Sequence, residues 1–415
     1  MLLEAQISGA ELEAVRKKLP LLLERDDTWF SNVEKKDVEK VSARDMRIPL
    51  ELRPGGNFGY FDPDGGDLGT GDGPTISAAT IGTVHMKLGV QWTKKAEWST
   101  DDQRKSIVST FKHLVATGMK EFRRQLDSQC LTGGDGAIGT ISNVGTALGI
   151  DTYTLGSDGF GARLLRFGQS INVYNAALST NRTLANERKI LSYDLANKQI
   201  TVNAVTGAIA TDRIVTGGLS ATPAVGLFGL PYHHSNASTG TWLGFNRATT
   251  PEIRANRVNA GGGLALPFAR LAINKIGDRV GMDTQVQVEA WMHPCQKQAY
   301  EQLGQLVSVI QKQPKDEALD LFFGDNMQLA GAPIRTHFSW DKTRIDFAAK
   351  NLWGRAEMHE ADFYDVGGRR YFESRGASGG VAASQIFYLS SSFNLFHSNP
   401  AAASYIDGLT VPAGY

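Results

Sequence analysis

Oxygen ligands separated by glycines are what a calcium ion requires, and the stretch Asp62-Pro-Asp-Gly-Gly-Asp-Leu-Gly-Thr-Gly-Asp72 supplies them. It follows neither the EF-hand order nor a repeated glycine-aspartate nonapeptide, and it occurs once, so a solvated loop tip is the better reading. Gly133-Gly-Asp-Gly136 and Gly261-Gly-Gly263 suggest phosphate cradles. Neither has the Gly-Lys-Ser/Thr ending nor the strand-to-helix context of a P-loop, which leaves a helix stop and a loop hinge. His233-His234 is the only histidine pair, and adjacent side chains on one strand point apart, so a loop is expected there rather than a metal site. Met358-His359-Glu360 lacks the second histidine of a zinc-protease helix. Glu357 and Glu360 make an acid/base pair only if the fold brings them into one cleft, and no Gly-x-Ser-x-Gly elbow is present. Cys130 and Cys295 have no partner at metal-ligand spacing, which excludes a cysteine-based zinc module and leaves at most one disulfide. No catalytic, cofactor-binding or metal set emerges.

The elements that would have to position such groups are more informative. The 415 residues allow two or three compact units, and 43 basic against 43 acidic residues give no excess that announces nucleic acid or a membrane. No apolar run approaches a membrane span and no leader pattern opens the chain, so a soluble protein made in a cytoplasm is expected. The 45 glycines are concentrated locally. Residues 1–45 read as a charged amphipathic arm with Leu12, Val15 and Leu19 at helical spacing, too sparse in apolar groups to fold alone and expected to lie across another surface.

From Met46 to Leu52 apolar and polar residues alternate, and Pro49 marks an edge strand. A second alternating run, Val84 to Trp92, follows the glycine-heavy stretch 54–80. The two runs are expected to pair as a projecting hairpin over 46–98, marginal in water unless something outside covers it. Thr100 and Gln103 then have capping-box spacing, and Ile107, Phe111, Leu114, Val115, Met119, Phe122 and Leu126 recur at three and four, predicting one long helix that stops at Gly133-Gly134. Short strands at Ser170–Tyr174, Ile190–Tyr193, Gln199–Asn203 and Arg213–Thr216 predict a separate small β unit over 160–218. Helices at 267–280 and 294–309 and strands near 286–290, 344–348 and 385–396 complete an α+β chain.

This order of parts resembles the major capsid protein of tailed double-stranded DNA bacteriophages, the Hong Kong 97-like fold. Gly226-Leu-Phe-Gly-Leu-Pro231 and Thr241-Trp-Leu-Gly-Phe-Asn-Arg247 resemble segments found in many such subunits. The resemblance implies an N-terminal arm (1–45), an E-loop hairpin (46–98) and a P-domain spine helix with its following loop (99–159). It further implies an A-domain with P-domain segments (219–340) and returning strands of both (341–415), the 160–218 unit being an addition. Phe58, Tyr60, Phe61, Lys87 and Trp92 would then make intersubunit E-loop contacts, and Phe111, Leu114, Phe122 and Leu126 would lie on the spine helix. The implied function is a non-enzymatic, self-assembling icosahedral shell of hexamers and pentamers, without cofactors, assembled in a bacterial host cytoplasm. The implied partners are other copies, a portal, scaffolding and decoration proteins, and packaged DNA held by weak non-specific contact. An encapsulin-like compartment shell and a phage tail or adhesin protein are the alternatives.

Overall fold

The computed structural model describes residues 29–34, 38–40, 45–60, 63–64, 66, 69–93, 103–156, 165–183, 187–216, 226–281, 287–310, 327–375 and 381–413. The described chain opens with helix α1 (Trp29–Glu34) and strand β1 (Val38–Lys40), followed by β2 (Asp45–Arg53), β3 (Thr75–Gly82) and β4 (Val84–Thr93). Helix α2 (Gln103–Cys130) comes next, then six strands: β5 (Ala137–Ala147), β6 (Ile150–Leu155), β7 (Ser170–Tyr174), β8 (Arg188–Asp194), β9 (Gln199–Asn203) and β10 (Arg213–Thr216). A short α3 (Leu230–His233) and the ribbon β11 (Thr241–Trp242) and β12 (Phe245–Asn246) lead to β13 (Asn256–Gly262), α4 (Leu266–Val280), β14 (Val288–Met292) and α5 (Pro294–Ile310). The last strands are β15 (Gln328–Leu329), β16 (Ala332–Thr336), β17 (Ile345–Ala349), β18 (Trp353–Phe363), β19 (Tyr371–Arg375), β20 (Val381–His397) and β21 (Ser404–Leu409).

The 28 residues of α2 make a rod of about 42 Å. Val115, Met119, Phe122, Leu126 and Cys130, spaced at three and four, bury one face against Phe387, Leu389, Phe393 and Leu395 of β20. Gly118 lets the helix approach closely, because a methyl there would sit 3.1 Å from Val90 Cγ2. β20 is the hub of this sheet, pairing on one edge with β19 and then β18 and on the other with β4. A second sheet, in the order β13-β21-β17-β14-β16-β15, carries α4 and α5 and has its own core around Ile276, Tyr300, Phe347 and Ile406.

Several expectations need correction. β2 pairs with β3, Ile48 facing Ala79, and not with β4. β4 lies inside the β20 sheet, where Leu88 faces Leu389, so the run 84–92 belongs to the body of the molecule. The small β unit starts earlier than residue 160: β5 and β6 join β7 to β10 in one closed barrel, ordered β10-β5-β6-β9-β8-β7. Four short strands cannot remove their own edges, and two more complete the closure. Gly261 and Gly262 end strand β13 rather than forming a free hinge. Cys130 and Cys295 are both buried and are not joined by a disulfide.

The expected arm is also part of the body from Trp29 onward, while residues 1–28 lie outside the described residues. Trp29 stands among Trp291, Trp353 and Trp340 at ring distances of 4.8, 5.1 and 5.7 Å. Asp127 of α2 accepts the Phe30 amide at 2.9 Å with one carboxylate oxygen and lies 2.6 Å from His337 Nε2 with the other. Ser339 N donates to His337 Nδ1, so Nε2 carries the proton given to Asp127. β1 then pairs in parallel with β18. Replacing a fully buried tryptophan at such a junction leaves a large cavity, so Trp29→Ala should cost about 3–5 kcal/mol, read as a lower midpoint in urea unfolding of the subunit.

Candidate assembly surfaces

The β2–β3 hairpin is half of a surface and half of a core. At its root, Met46, Ile48, Leu50, Leu52, Ala79 and Ile81 pack on Trp242, Leu243, Phe245 and Ile253 of the same chain. Thr80 N donates to Leu243 O at 3.2 Å, and Arg53 Nε donates to Glu252 Oε1 at 3.1 Å. The cover that the hairpin needs is therefore supplied internally at the root. Beyond it residues 54–60 project: Phe58 and Tyr60 are 93% and 99% exposed and touch each other edge to face at 6.2 Å. Two adjoining large aromatics this exposed form an apolar patch and so a candidate contact surface.

The other sequence-predicted residues fall elsewhere. Phe61 lies outside the described residues, as do the side chains of Phe111 and Leu114, though both positions are in α2. Phe122 and Leu126 are buried on its core face. Trp92 packs on Tyr371 and Phe387 at 5.8 and 5.9 Å inside its own subunit, and Lys87 is an exposed position of β4. Asp64 and Asp72 are exposed, whereas Asp62 and Asp67 lie outside the described residues. Glu357 is buried against Arg355 at 2.8 Å and Glu360 is exposed, so the fold does not bring them into one cleft.

The ribbon that holds the hairpin is itself fixed by the two motifs singled out in the sequence. A methyl at Gly226 would collide with the backbone of Gly136, and one at Gly229 with the carbonyls of Cys130 and Thr132. Gly226-Leu-Phe-Gly229 is thus a strap laid directly over the end of α2, sealed by the Gly226 N to Gly134 O bond at 3.2 Å. Arg247 donates to the carbonyls of Tyr232 and Ser235 at 2.6 and 3.0 Å, closing the loop that carries Trp242.

Sequence reasoning missed the core of this strap. His233 and His234 are fully buried rather than on a free loop. Trp242 Nε1 donates to His233 Nδ1 at 3.0 Å, so His233 Nε2 carries the proton that points at Leu395 O, 3.2 Å away. His234 Nδ1 lies 3.2 Å from Asp346, whose carboxylate is also held by Arg344 at 2.6 Å. Burial, assisted by the neighbouring His234, pushes His233 down to about 3, and burial also lowers His234 against the pull of Asp346. The barrel is joined to the same helix through Arg166 to Glu121 at 2.5 Å and Gln129 to Thr216 at 2.7 Å.

At the level of sequence the chain matches no protein-family model and no curated protein. In three dimensions it is similar to a chain of the Cyanophage A-1(L) capsid asymmetric unit, with a TM-score of 0.55 and 13% identity over 92% of this chain and 93% of that one. A chain from Gordonia phage Cozz aligns at 0.42 and 10% identity, covering 95% and 87%. One from an encapsulin complex of Synechococcus elongatus PCC 7942 aligns at 0.43 and 6%, covering 94% and 91%. The fold is therefore that of a phage capsid subunit, α+β and Hong Kong 97-like, as the order of its parts implied.

The buried histidines set an acid limit on this arrangement. His233 binds a proton at about 3 when folded but near pH 6.5 when unfolded, so its stabilising contribution is complete above pH 6.5 and is lost as the pH falls below it. Subunit stability in urea should fall by about 1.4 kcal/mol per pH unit from this group alone between pH 5.5 and 4. A His233→Gln variant, less stable at pH 7, should show a shallower slope; an identical slope would assign the acid sensitivity elsewhere.

Proposed function

We propose that this chain is the major capsid protein of a tailed bacteriophage, building an icosahedral head of hexamers and pentamers around double-stranded DNA. The observation that carries the reading is the hairpin anchored to its own subunit at the root and presenting Phe58 and Tyr60 unburied at the tip. A projection anchored at its root and ending in exposed aromatics is useful where a neighbour supplies their cover, and repeating that heterologous contact around a ring closes a shell. The capsid fold supports the same conclusion. Formal charge neutrality suits a wall that must not hold DNA by many phosphate contacts, because each such contact adds affinity and salt dependence. Portal, scaffolding and decoration proteins are the further partners of such a shell, and the virion is its location. No catalytic role is proposed, and among the described residues no helix is long and apolar enough to cross a membrane.

The full chain, expressed with whatever scaffold its genome supplies, should sediment as megadalton particles that appear as closed shells in negative stain. Only monomers or small oligomers in the shell fraction of virions would overturn the reading. Covering each tip aromatic is worth about 1.5–3 kcal/mol per contact. The double variant Phe58→Ser, Tyr60→Ser should therefore keep the thermal midpoint of the isolated subunit while particle yield drops sharply.

A further inference from the structure

The barrel ends in a hairpin tip that the capsid reading leaves unexplained. β5 and β6 are joined by Leu148-Gly149, with φ values of 51° and 77°, the left-handed pair of a two-residue hairpin turn. Asparagine or aspartate is the usual first residue of such a turn, since a bulky side chain at positive φ is strained. Leu148 accepts that strain and is nevertheless 103% exposed, with Ile150 beside it 40% exposed. Backbone strain combined with complete exposure of an apolar side chain brings no benefit to an isolated subunit.

Two other turns in the same chain show what an apolar residue does at this position. Leu243-Gly244, with φ values of 47° and 95°, joins β11 to β12, and its leucine is 3% exposed because the β2–β3 hairpin seats on it. Ala330-Gly331, at 52° and 93°, joins β15 to β16 and packs on the core of the second sheet. In both, the turn is a small apolar knob inserted against other chain. The Leu148 tip has the same form and is held rigidly. Asp151 beneath it accepts from Thr146 Oγ1 at 2.7 Å, Tyr153 OH at 3.0 Å and Val205 N at 2.8 Å. What it lacks, among the described residues, is the surface to enter.

We infer that the Leu148 tip is an intersubunit docking element whose partner is a second copy of this chain. Ala137 to Ile150 contains no ionisable side chain, so copies can meet along it without like-charge repulsion. Among the described residues β5 pairs only with β6 over its distal part, and this edge carries none of the lysines or prolines that guard exposed strands. The inference rests on the shell reading, in which most neighbours of a subunit are other copies, and it adds a contact made by the barrel that is separate from the Phe58 and Tyr60 tip.

The test places the photoreactive residue p-benzoylphenylalanine at the exposed Ala147 of the full chain and irradiates assembled particles. The expected product is a band of twice the subunit mass in which both cross-linked peptides come from this chain. Leu148→Asn, which suits positive φ, should leave the subunit's thermal midpoint unchanged or higher while reducing that product about tenfold or more. Cross-links confined to one subunit, cross-links to a different protein, or an undiminished product in Leu148→Asn would each overturn the inference while leaving the shell reading intact. Failure of the unaltered chain to form particles would instead bring down the shell reading, and this inference with it.

Discussion

The packing of α2 across the β20 sheet is the constraint on which the other parts depend, and Trp29 locks it. A helix of this length meeting a sheet along a single apolar stripe can slide or tilt, since ridges fit grooves at more than one register. Trp29 prevents this by entering a space shared by Trp291, Trp340 and Trp353, while Asp127 holds both the Phe30 amide and His337. One short segment near the start of the described chain thereby ties the helix to both sheets. The barrel hangs from α2 through Glu121 and Gln129, and the strap at Gly226 and Gly229 lies on its C-terminal end. The direction in which the hairpin projects is inherited from this frame through Trp242 and Leu243.

What the sequence made legible was whatever depends on local period and punctuation. The face of α2 could be read because Val115, Met119, Phe122 and Leu126 recur at three and four, and β7 to β10 because short apolar runs stand between turn residues. The partner of β2 could not. β3, Thr75-Ile-Ser-Ala-Ala-Thr-Ile-Gly82, carries small residues with weak alternation, whereas β4 alternates strongly, yet β4 is drawn into the β20 sheet where Leu88, Val90 and Trp92 find a core. Tertiary burial overrode the stronger local pattern. β5 and β6 carried little apolar signal, β5 being broken by two glycines and polar residues and β6 being half threonine and aspartate.

The functional surfaces divide along the same line. Phe58 and Tyr60 stood out because no local element could bury them, and the fold leaves them exposed. The buried histidines were unreadable, because the groups that define them, Asp346, Leu395 and Trp242, are remote in sequence or in another element. The glycines of the Gly226 strap could be seen as a motif, but their reason is a close backbone approach to residues 130–136 that only the folded chain reveals.

The central claim is that the hairpin is a finished part of the subunit at its root and an unfinished one at its tip. Amide hydrogen exchange, compared between dissociated subunits and assembled particles, tests it most directly. The account predicts that the cross-strand hydrogen-bonded amides of 46–52 and 76–81 are protected in both states, whereas amides of 57–60 exchange freely in the subunit and become protected only in the particle. Equal exchange of 57–60 in the two states would contradict it.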